Sequence, residues 1–498
     1  MWTRADLQKL IKEQMGDYQF VVVSNRQPYV HVFRKARVEC QRGAGGVISA
    51  LDPVMQTCNG LWVVFGSGDA DRKVTDASGK IKVPPDDPSY SLKRVWLTKE
   101  EEKGYYYGYS NEALWPLCHM AFQRPVFRLE DWEYYRRVNE KFAHAIIDEI
   151  GGNKAFVWIQ DYHLTLLPKY LKELAPNQLI VAHFWHIPWP NHEVFRICPQ
   201  KREILEGLLA NDLLGFHIVY HCNNFLDCVD KELESKIDRE RFSVIRSEHE
   251  TLLRSYPISV DFAGLSKAAG TPGVAQKKEE LCEEYALTGL KVMLGLDRID
   301  YTKGIPERLL AVDRLLENHP ELIEKVVFLQ MGEISRLHIP RYKAINDEIN
   351  SLVEDINWKH STDEWNPIIL VRRHLSFPEL LAFYQLGSVA VVSSLHDGMN
   401  LVAKEFISSR TDGMGAIVLS QFTGAARELE DAILINPYDR MQFSEGLYEA
   451  LHLPEEEQKH RMGRMRQVVE RNNIFRWAGK NLSELLKLEF HENDAASY

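Results

Sequence analysis

The sequence has no run of about 18 apolar residues, so nothing in it is patterned as a membrane-spanning helix. Its start, MWTRADLQKLIKEQMGDYQF, carries charges throughout and lacks the apolar core of a secretory signal. Cysteine is sparse. Seven residues, at 40, 58, 118, 198, 222, 228 and 282, are odd in number and scattered. That argues against a disulfide framework and suits a reducing, cytoplasmic compartment. Cys222 and Cys228, with His217 and His221 nearby, match no standard zinc spacing. A basic excess is also missing. Sixty Lys and Arg stand against 71 Asp and Glu, a formal net charge of −11. A nucleic-acid binder wants the opposite field, so neither nucleic acid nor membrane is an expected partner. There is no repeat at periods of about 20 to 50 residues. The nucleotide fingerprints G-x-G-x-x-G and G-x-x-x-x-G-K-[ST] are absent too.

What is there has globular composition, 45% hydrophobic and 26% charged over 498 residues. That length suggests about two to four domains. Short apolar runs recur at 20–23, 61–65, 155–159, 179–184 and 213–216. A second set follows at 292–296, 326–331, 368–371, 389–392, 416–419 and 432–435. Several are apolar throughout, which suits parallel strands buried on both faces. Helical patterns lie between them, at 129–150, 201–210, 305–316 and 378–385. Alternating strand and helix predicts an α/β fold with parallel sheets. The polar stretch 265–284, with Gly270, Pro272 and Gly273, interrupts the series. We expect a boundary within 260–285, drawn as domains 1–265 and 266–498. The chain after Ser444 reads as helices, the last of which can pack back on the first domain.

Ligands of open α/β sheets bind beyond the C-terminal ends of the strands. The first run is followed by Ser24-Asn25-Arg26 and then by Arg42-Gly43-Ala44-Gly45-Gly46. Such glycines allow close backbone approach to a phosphate, although they also make ordinary turns. The third run is followed by Gln160-Asp161-Tyr162-His163, the fourth by Trp185-His186-Ile187-Pro188-Trp189-Pro190. Carboxylate, imidazole and aromatic groups at neighbouring strand ends suit a sugar site, or equally a satisfied core histidine and a Pro-fixed turn. His183 and His186 imitate a metal pair, but Pro188 and Pro190 preclude a regular helix to present them.

In the second half, Arg298 and Lys303 lie five apart on a strand-to-helix loop, a diphosphate clamp or a solvated basic loop. Asp397-Gly398-Met399-Asn400-Leu401 leads to Glu405. If a helix starts in that run, its first amides face a ligand and the carboxylate can hold ribose hydroxyls. The triplet Asp69-Ala70-Asp71 reads as solvated loop charge rather than a metal motif.

Taken together these segments resemble the trehalose-6-phosphate synthase family of retaining glycosyltransferases, over most of the chain. The landmarks occur in order: SNR at 24–26, AGG at 44–46, YYYGYSNEALWP at 105–116, DYHL at 161–164, HIPWP at 186–190 and LLGFH at 213–217. RIDYTKGIPER at 298–308, SR at 335–336, DGMNLVAKE at 397–405 and NPYD at 436–439 follow. The resemblance implies a GT-B fold, two Rossmann-like domains facing across a cleft. It implies that Arg298 and Lys303 bind the diphosphate of a nucleotide sugar. Glu405 would hold the ribose and Asp397 the sugar hydroxyls. Amides of Gly398, Met399, Asn400, Leu401 and Gly46 would cover sugar and phosphates, and His186 would lie near the transferred glucose. Arg26, Tyr106, Trp115, Asp161 and Arg336 match positions that hold the acceptor sugar phosphate. Arg298 and Lys303 would stabilise the leaving diphosphate without a metal or other cofactor. Retention would use front-face attack, with Asp161 and His186 the alternatives for assisting groups.

The implied reaction moves glucose from a nucleotide diphosphate, UDP-glucose before ADP- or GDP-glucose, to glucose 6-phosphate. The product would be trehalose 6-phosphate. Relatives in this family often read HDYH where this chain has Gln160, and Trp before Ser-Gly where it has Gly66. Asn25-Arg26-Gln27-Pro28-Tyr29 also resembles glucosylglycerol-phosphate synthases, which makes glycerol 3-phosphate the rival acceptor. The rival of another class is a sugar-phosphate sensor without turnover, against which Arg298, Lys303, Asp397 and Glu405 all stand. No D-x-D-x-[TV] phosphatase module is present, so a separate phosphatase is expected. A homo-oligomer is a further expectation.

Overall fold

The structure is a computed structural model that describes the whole chain except Met1, Asp17, Ala36, Ala44, residues 333–335, Leu337 and residues 489–498. It divides into two compact units, Met1–Ile258 with Ile474–Tyr498, and Ser259–Asn473.

The strands of the first unit are β1 (Gln19–Ser24), β2 (Tyr29–Arg34), β3 (Arg37–Arg42), β4 (Leu61–Phe65), β5 (Lys80–Val83) and β6 (Tyr90–Val95). They continue with β7 (Ala155–Gln160), β8 (Leu179–Phe184), β9 (Leu213–Phe216), β10 (Lys236–Asp238), β11 (Ser243–Arg246) and β12 (His249–Ser255). All but β2 and β3 form one sheet in the order β10-β11-β12-β9-β8-β7-β1-β4-β6-β5. Its centre, from β12 to β6, is parallel. Antiparallel strands extend both edges. β7 and β8 are buried along their whole length, as strands covered on both faces must be. The helix Leu129–Ile150 turns Tyr135, Val138, Phe142 and Ile146 to the core, spaced three to four apart. Gly151, at φ 59°, ends it.

The second unit holds β13 (Lys291–Leu296), β14 (Val326–Met331), β15 (Ile368–Val371), β16 (Val389–Val392), β17 (Ala416–Ser420) and β18 (Ile433–Ile435). They form a parallel sheet in the order β15-β14-β13-β16-β17-β18. Every apolar run singled out in the sequence lies on one of these strands, allowing for a residue or so at the ends.

Three things differ from the sequence reading. The polar stretch near the boundary folds as two helices, Phe262–Ala269 and Pro272–Glu284. In the second of them only Val274 and Leu281 are buried, so its apolar signal is thin. Ser266 of the first donates to the Ser408 carbonyl at 2.8 Å, which ties that helix to the second unit. The division therefore falls after Ile258 rather than after residue 265. The last helix, Ile474–Leu485, which the sequence reading allowed to pack back on the first domain, is grouped with the first unit, and the second unit ends at Asn473. Its Trp477 packs 5.0 Å from both Trp158 and Phe184 and donates from Nε1 to the Tyr256 carbonyl.

The third difference is the Asp69-Ala70-Asp71 triplet, of which only Asp69 is exposed. Asp71 is fully buried, 3.1 Å from the Arg94 guanidinium, and accepts from Gln27 Nε2 at 2.6 Å. Solvated loop charge is thus wrong for Asp71. Its partner lies on β6, and a charge buried with a partner from a distant strand leaves no local mark in sequence.

Candidate active site

In the first sheet the chain runs from β1 outward to β4 and β6, then returns to lay β7, β8 and β9 on the other side. The order therefore reverses between β1 and β7, where an open α/β sheet leaves a crevice beyond its strand ends. Arg26 follows β1 and Asp161 follows β7. Ser24 Oγ donates to the Arg26 carbonyl at 2.7 Å and accepts from Trp62 Nε1 at 2.9 Å, which fixes the turn that carries Arg26. The Arg26 guanidinium donates to Tyr106 Oη at 3.3 Å. Tyr106 sits on a π-helical stretch, Lys103–Leu114, a rare geometry that favours functional places. Its ring stacks on His163 at 5.8 Å and 16°. Trp115 lies 5.6 Å from Tyr162. Arg26, Tyr106, Trp115 and Asp161 thus all belong to the first unit.

Asp161 has φ 72° and ψ 174°, a region that side chains rarely tolerate. Its carbonyl contacts His183 Nε2 at 2.8 Å, and its Oδ1 accepts from the His186 backbone at 3.4 Å. His186 follows β8, with Nε2 2.9 Å from Gln160 Oε1. Burial, with His217 and His183 alongside, drives the His186 pKa well below the usual imidazole range. Gly46 opens the helix Gly46–Cys58 behind Gly45, and no side chain among the described residues caps it. Its first amides are therefore available to an anion. Ala44 of the same motif lies outside the described residues.

The second sheet reverses between β13 and β16. Arg298 and Lys303 follow β13, Asp397 follows β16, and Lys303 Nζ meets Asp397 Oδ2 at 2.5 Å across that point. Burial acts to lower the Lys303 pKa, but Asp397 and Asp297 outweigh it and raise it, so the ammonium persists. Gly304, at φ 61°, turns the chain directly into the helix Ile305–Asn318. A side chain there would collide with the Ser393 carbonyl, so only glycine fits. Ser394 and Asn400 also reach Asp397, at 3.1 and 3.4 Å. Asn400 takes φ 79° and caps the helix Leu401–Ser409 by accepting from the Ala403 amide. Gly398, Met399 and Asn400 therefore form the approach to that helix, and Leu401 opens it. Glu405 lies one turn in, bonded to Tyr384 Oη at 2.7 Å, and burial raises its pKa.

Arg336 belongs to this second unit, at φ 56° beyond β14. Its guanidinium donates to Tyr342 Oη at 2.6 Å and lies 3.6 Å from Asp300, inside the Arg298 to Lys303 loop. Ser335 lies outside the described residues. Asp161, Arg336 and Asn400 are thus three site residues at positive φ, strain of the kind that gathers at functional places.

Sequence reasoning gave no site role to Arg308 or Trp96. Arg308 is fully buried and donates to Asp297, Ser393 and Gln330 at 2.6, 2.9 and 3.1 Å. It ties the C-terminal ends of β13, β14 and β16 together. The signal available was an arginine within a helix of apolar pattern, one turn after Lys303. Trp96 lies beside Gly66, the residue before Ser67. A Cβ at Gly66 would lie 2.5 Å from the Trp96 ring, so this indole fills the space beside the β4 end. Among the described residues no group of three or more His, Cys, Asp or Glu is placed to hold a metal.

The sequence profile of Glycosyltransferase family 20 matches residues 18–487. The chain belongs to glycosyltransferase family 20. A relative in this family, the trehalose-6-phosphate synthase of Mycobacterium ulcerans, is 35% identical over 494 residues, covering 97% of this chain and 96% of its own. Among solved structures, the E. coli structure bound with UDP-2-fluoro glucose superposes at a TM-score of 0.83 and 29% identity, covering 95% of this chain and all of that one. A Burkholderia xenovorans α,α-trehalose-phosphate synthase (UDP-forming) in complex with glucose 6-phosphate gives 0.84 and 27%, covering 94% and 99%. The two Rossmann-like units are those of the GT-B fold. As a family 20 member the chain is a glycosyltransferase. No helix among the described residues is long and apolar enough to cross a membrane.

Proposed function

We propose that this glycosyltransferase moves glucose from UDP-glucose to glucose 6-phosphate with retention, forming α,α-trehalose 6-phosphate. The observation that carries the reading is the Lys303–Asp397 pair at the reversal point of the second sheet. A persistent ammonium beside a helix start suits a diphosphate, and a carboxylate next to it suits sugar hydroxyls. Arg298 shares the diphosphate with Lys303. The backbone amides from Gly398 to Leu401 and at Gly46 bind the donor's remaining oxygens, and Glu405 takes the ribose. Arg26 and Arg336 hold the acceptor phosphate, with Tyr106, Trp115 and Asp161 on the acceptor sugar.

Breaking the sugar–phosphate bond builds positive charge on the anomeric carbon and negative charge on the departing diphosphate. Arg298 and Lys303 stabilise the second without a metal or other cofactor. The acceptor hydroxyl attacks from the leaving-group side, and its proton passes to the diphosphate oxygen. Asp161 and His186 orient the hydroxyls around the reacting carbon. The product is a phosphomonoester, for which a separate phosphatase is the consumer. The chain works in the cytoplasm, as a homo-oligomer.

One observation keeps a second acceptor in the test. Glycine at 66 with Trp96 beside it gives this chain an indole that follows β6 next to the end of β4. Initial rates of nucleotide release should be measured with UDP-, ADP- and GDP-glucose, each against glucose 6-phosphate and glycerol 3-phosphate. UDP-glucose with glucose 6-phosphate should be the fastest pair. Turnover with glycerol 3-phosphate alone would replace the acceptor, and no transfer with any pair would end the enzyme reading.

A further inference from the structure

Gln160 closes β7 and is 1% exposed. Two contacts orient it. Its Nε2 points to the Trp158 carbonyl at 3.5 Å, and its Oε1 faces His186 Nε2 at 2.9 Å. The first contact is long, but the opposite amide orientation would aim Oε1 at a carbonyl oxygen, which donates nothing. An amide oxygen only accepts. His186 Nε2 must therefore carry the hydrogen.

The rest of the imidazole follows from its surroundings. His217 and His183 are the titratable rings beside it, and Phe184 and Trp477 are the neutral rings packed against it. Asp161 is the nearby carboxylate, and its Oδ1 accepts from the His186 backbone amide at 3.4 Å. The ring is thus buried among groups that do not favour a second proton. With Nε2 protonated and the ring neutral, Nδ1 is a bare acceptor. It is buried and has no hydrogen-bond partner among the described residues. A buried acceptor without a donor is costly, and one at a strand end beside a strained Asp161 is suited to a ligand hydroxyl.

We propose that Gln160 is a positioning residue that holds His186 as the neutral Nε2–H tautomer, so that Nδ1 accepts from a hydroxyl of the bound sugar. A histidine at 160 can present either a donor or an acceptor to His186 and leaves the tautomer open. Glutamine in the observed orientation removes that choice. The sugar as ligand rests on the function proposed above, whereas the tautomer does not.

Protein labelled with 15N-histidine would be read by long-range 1H–15N correlation from about pH 5.5 to 8, with His186 assigned from the spectrum of His186→Gln. The expected pattern is a protonated Nε2 and an unprotonated Nδ1 throughout. Gln160→Met removes the acceptor at similar volume. It should populate the Nδ1–H form and lower kcat/KM for UDP-glucose at least about tenfold, with the KM for glucose 6-phosphate changed less than about twofold. Gln160→Glu restores the acceptor and should restore the Nε2–H signature. Its charge raises the His186 pKa, so this variant should gain an acid limb, with activity rising as pH rises. A protonated Nδ1 in the wild-type protein overturns the proposal. So does a Gln160→Met variant with the wild-type tautomer and wild-type kcat/KM. If the spectra are as expected but no pair of substrates reacts, the proposed function falls and the tautomer stands.

Discussion

Lys303 is held 2.5 Å from a carboxylate 94 residues further along the chain, and the pairing needs both strand ends to be in place. Its two sides are half-visible in sequence, since each follows an apolar run that reads as a strand. Their meeting is not visible, because it depends on β13 and β16 being neighbours. Lys303→Ala or Arg298→Ala should each lower kcat at least about 100-fold, with the far-ultraviolet circular dichroism unchanged. Near-normal turnover in both would remove the clamp. Arg308 is the opposite case. It lies within a recognisable motif, yet its role is to hold Asp297, Gln330 and Ser393 from inside. Arg308→Leu leaves Asp297 buried without its cation and should cost about 3–5 kcal/mol, read from urea unfolding. A loss under about 1 kcal/mol would mean the network is replaceable.

The parallel strands were legible because burial on both faces leaves uninterrupted apolar runs such as FVVV in β1 and VVFL in β14. The hairpin of β2 and β3 was not, since β3 is exposed at five of its six positions and shows no apolar face. What holds that hairpin is a buried carboxylate. Asp52, in the helix Gly46–Cys58, accepts from Tyr29, Tyr90 and Arg42 at 3.0, 2.7 and 2.7 Å. It links the hairpin to the helix whose start carries Gly46. The helix Ile474–Leu485 presents a further problem to the eye. Its amphipathic pattern is clear, but nothing in sequence tells which sheet its apolar face will cover. Trp477 is 2% exposed against Trp158 and Phe184 of the first unit. Trp477→Ala should therefore destabilise by about 3–5 kcal/mol. In urea, tryptophan fluorescence should show that loss, and an unchanged midpoint would contradict this packing.

At the scale of the whole molecule, the net charge of −11 hides local cations at the ends of both sheets, Arg26 in one unit and Arg298, Lys303 and Arg336 in the other. Acid sensitivity has a source in the first unit. Burial pushes His183 down to about 4, against an ordinary imidazole value of 6.5, and the bond to the Asp161 carbonyl offsets only part of that. Below about pH 6.5 the unfolded chain takes up a proton that the folded ring refuses, so stability falls as pH drops toward 4. The fall in melting temperature from pH 7 to pH 5 should be smaller in His183→Gln, which has no ring to titrate. An identical fall in both would contradict it.

The proposed reaction is transfer with retention to the anomeric hydroxyl of glucose 6-phosphate. The most direct measurement is proton NMR of the product formed from UDP-glucose and glucose 6-phosphate. Two α-configured anomeric signals, from a 1,1-linked disaccharide phosphate with UDP released in equal amount, are predicted. A β-configured linkage, or UDP released with free glucose and no disaccharide, would contradict it.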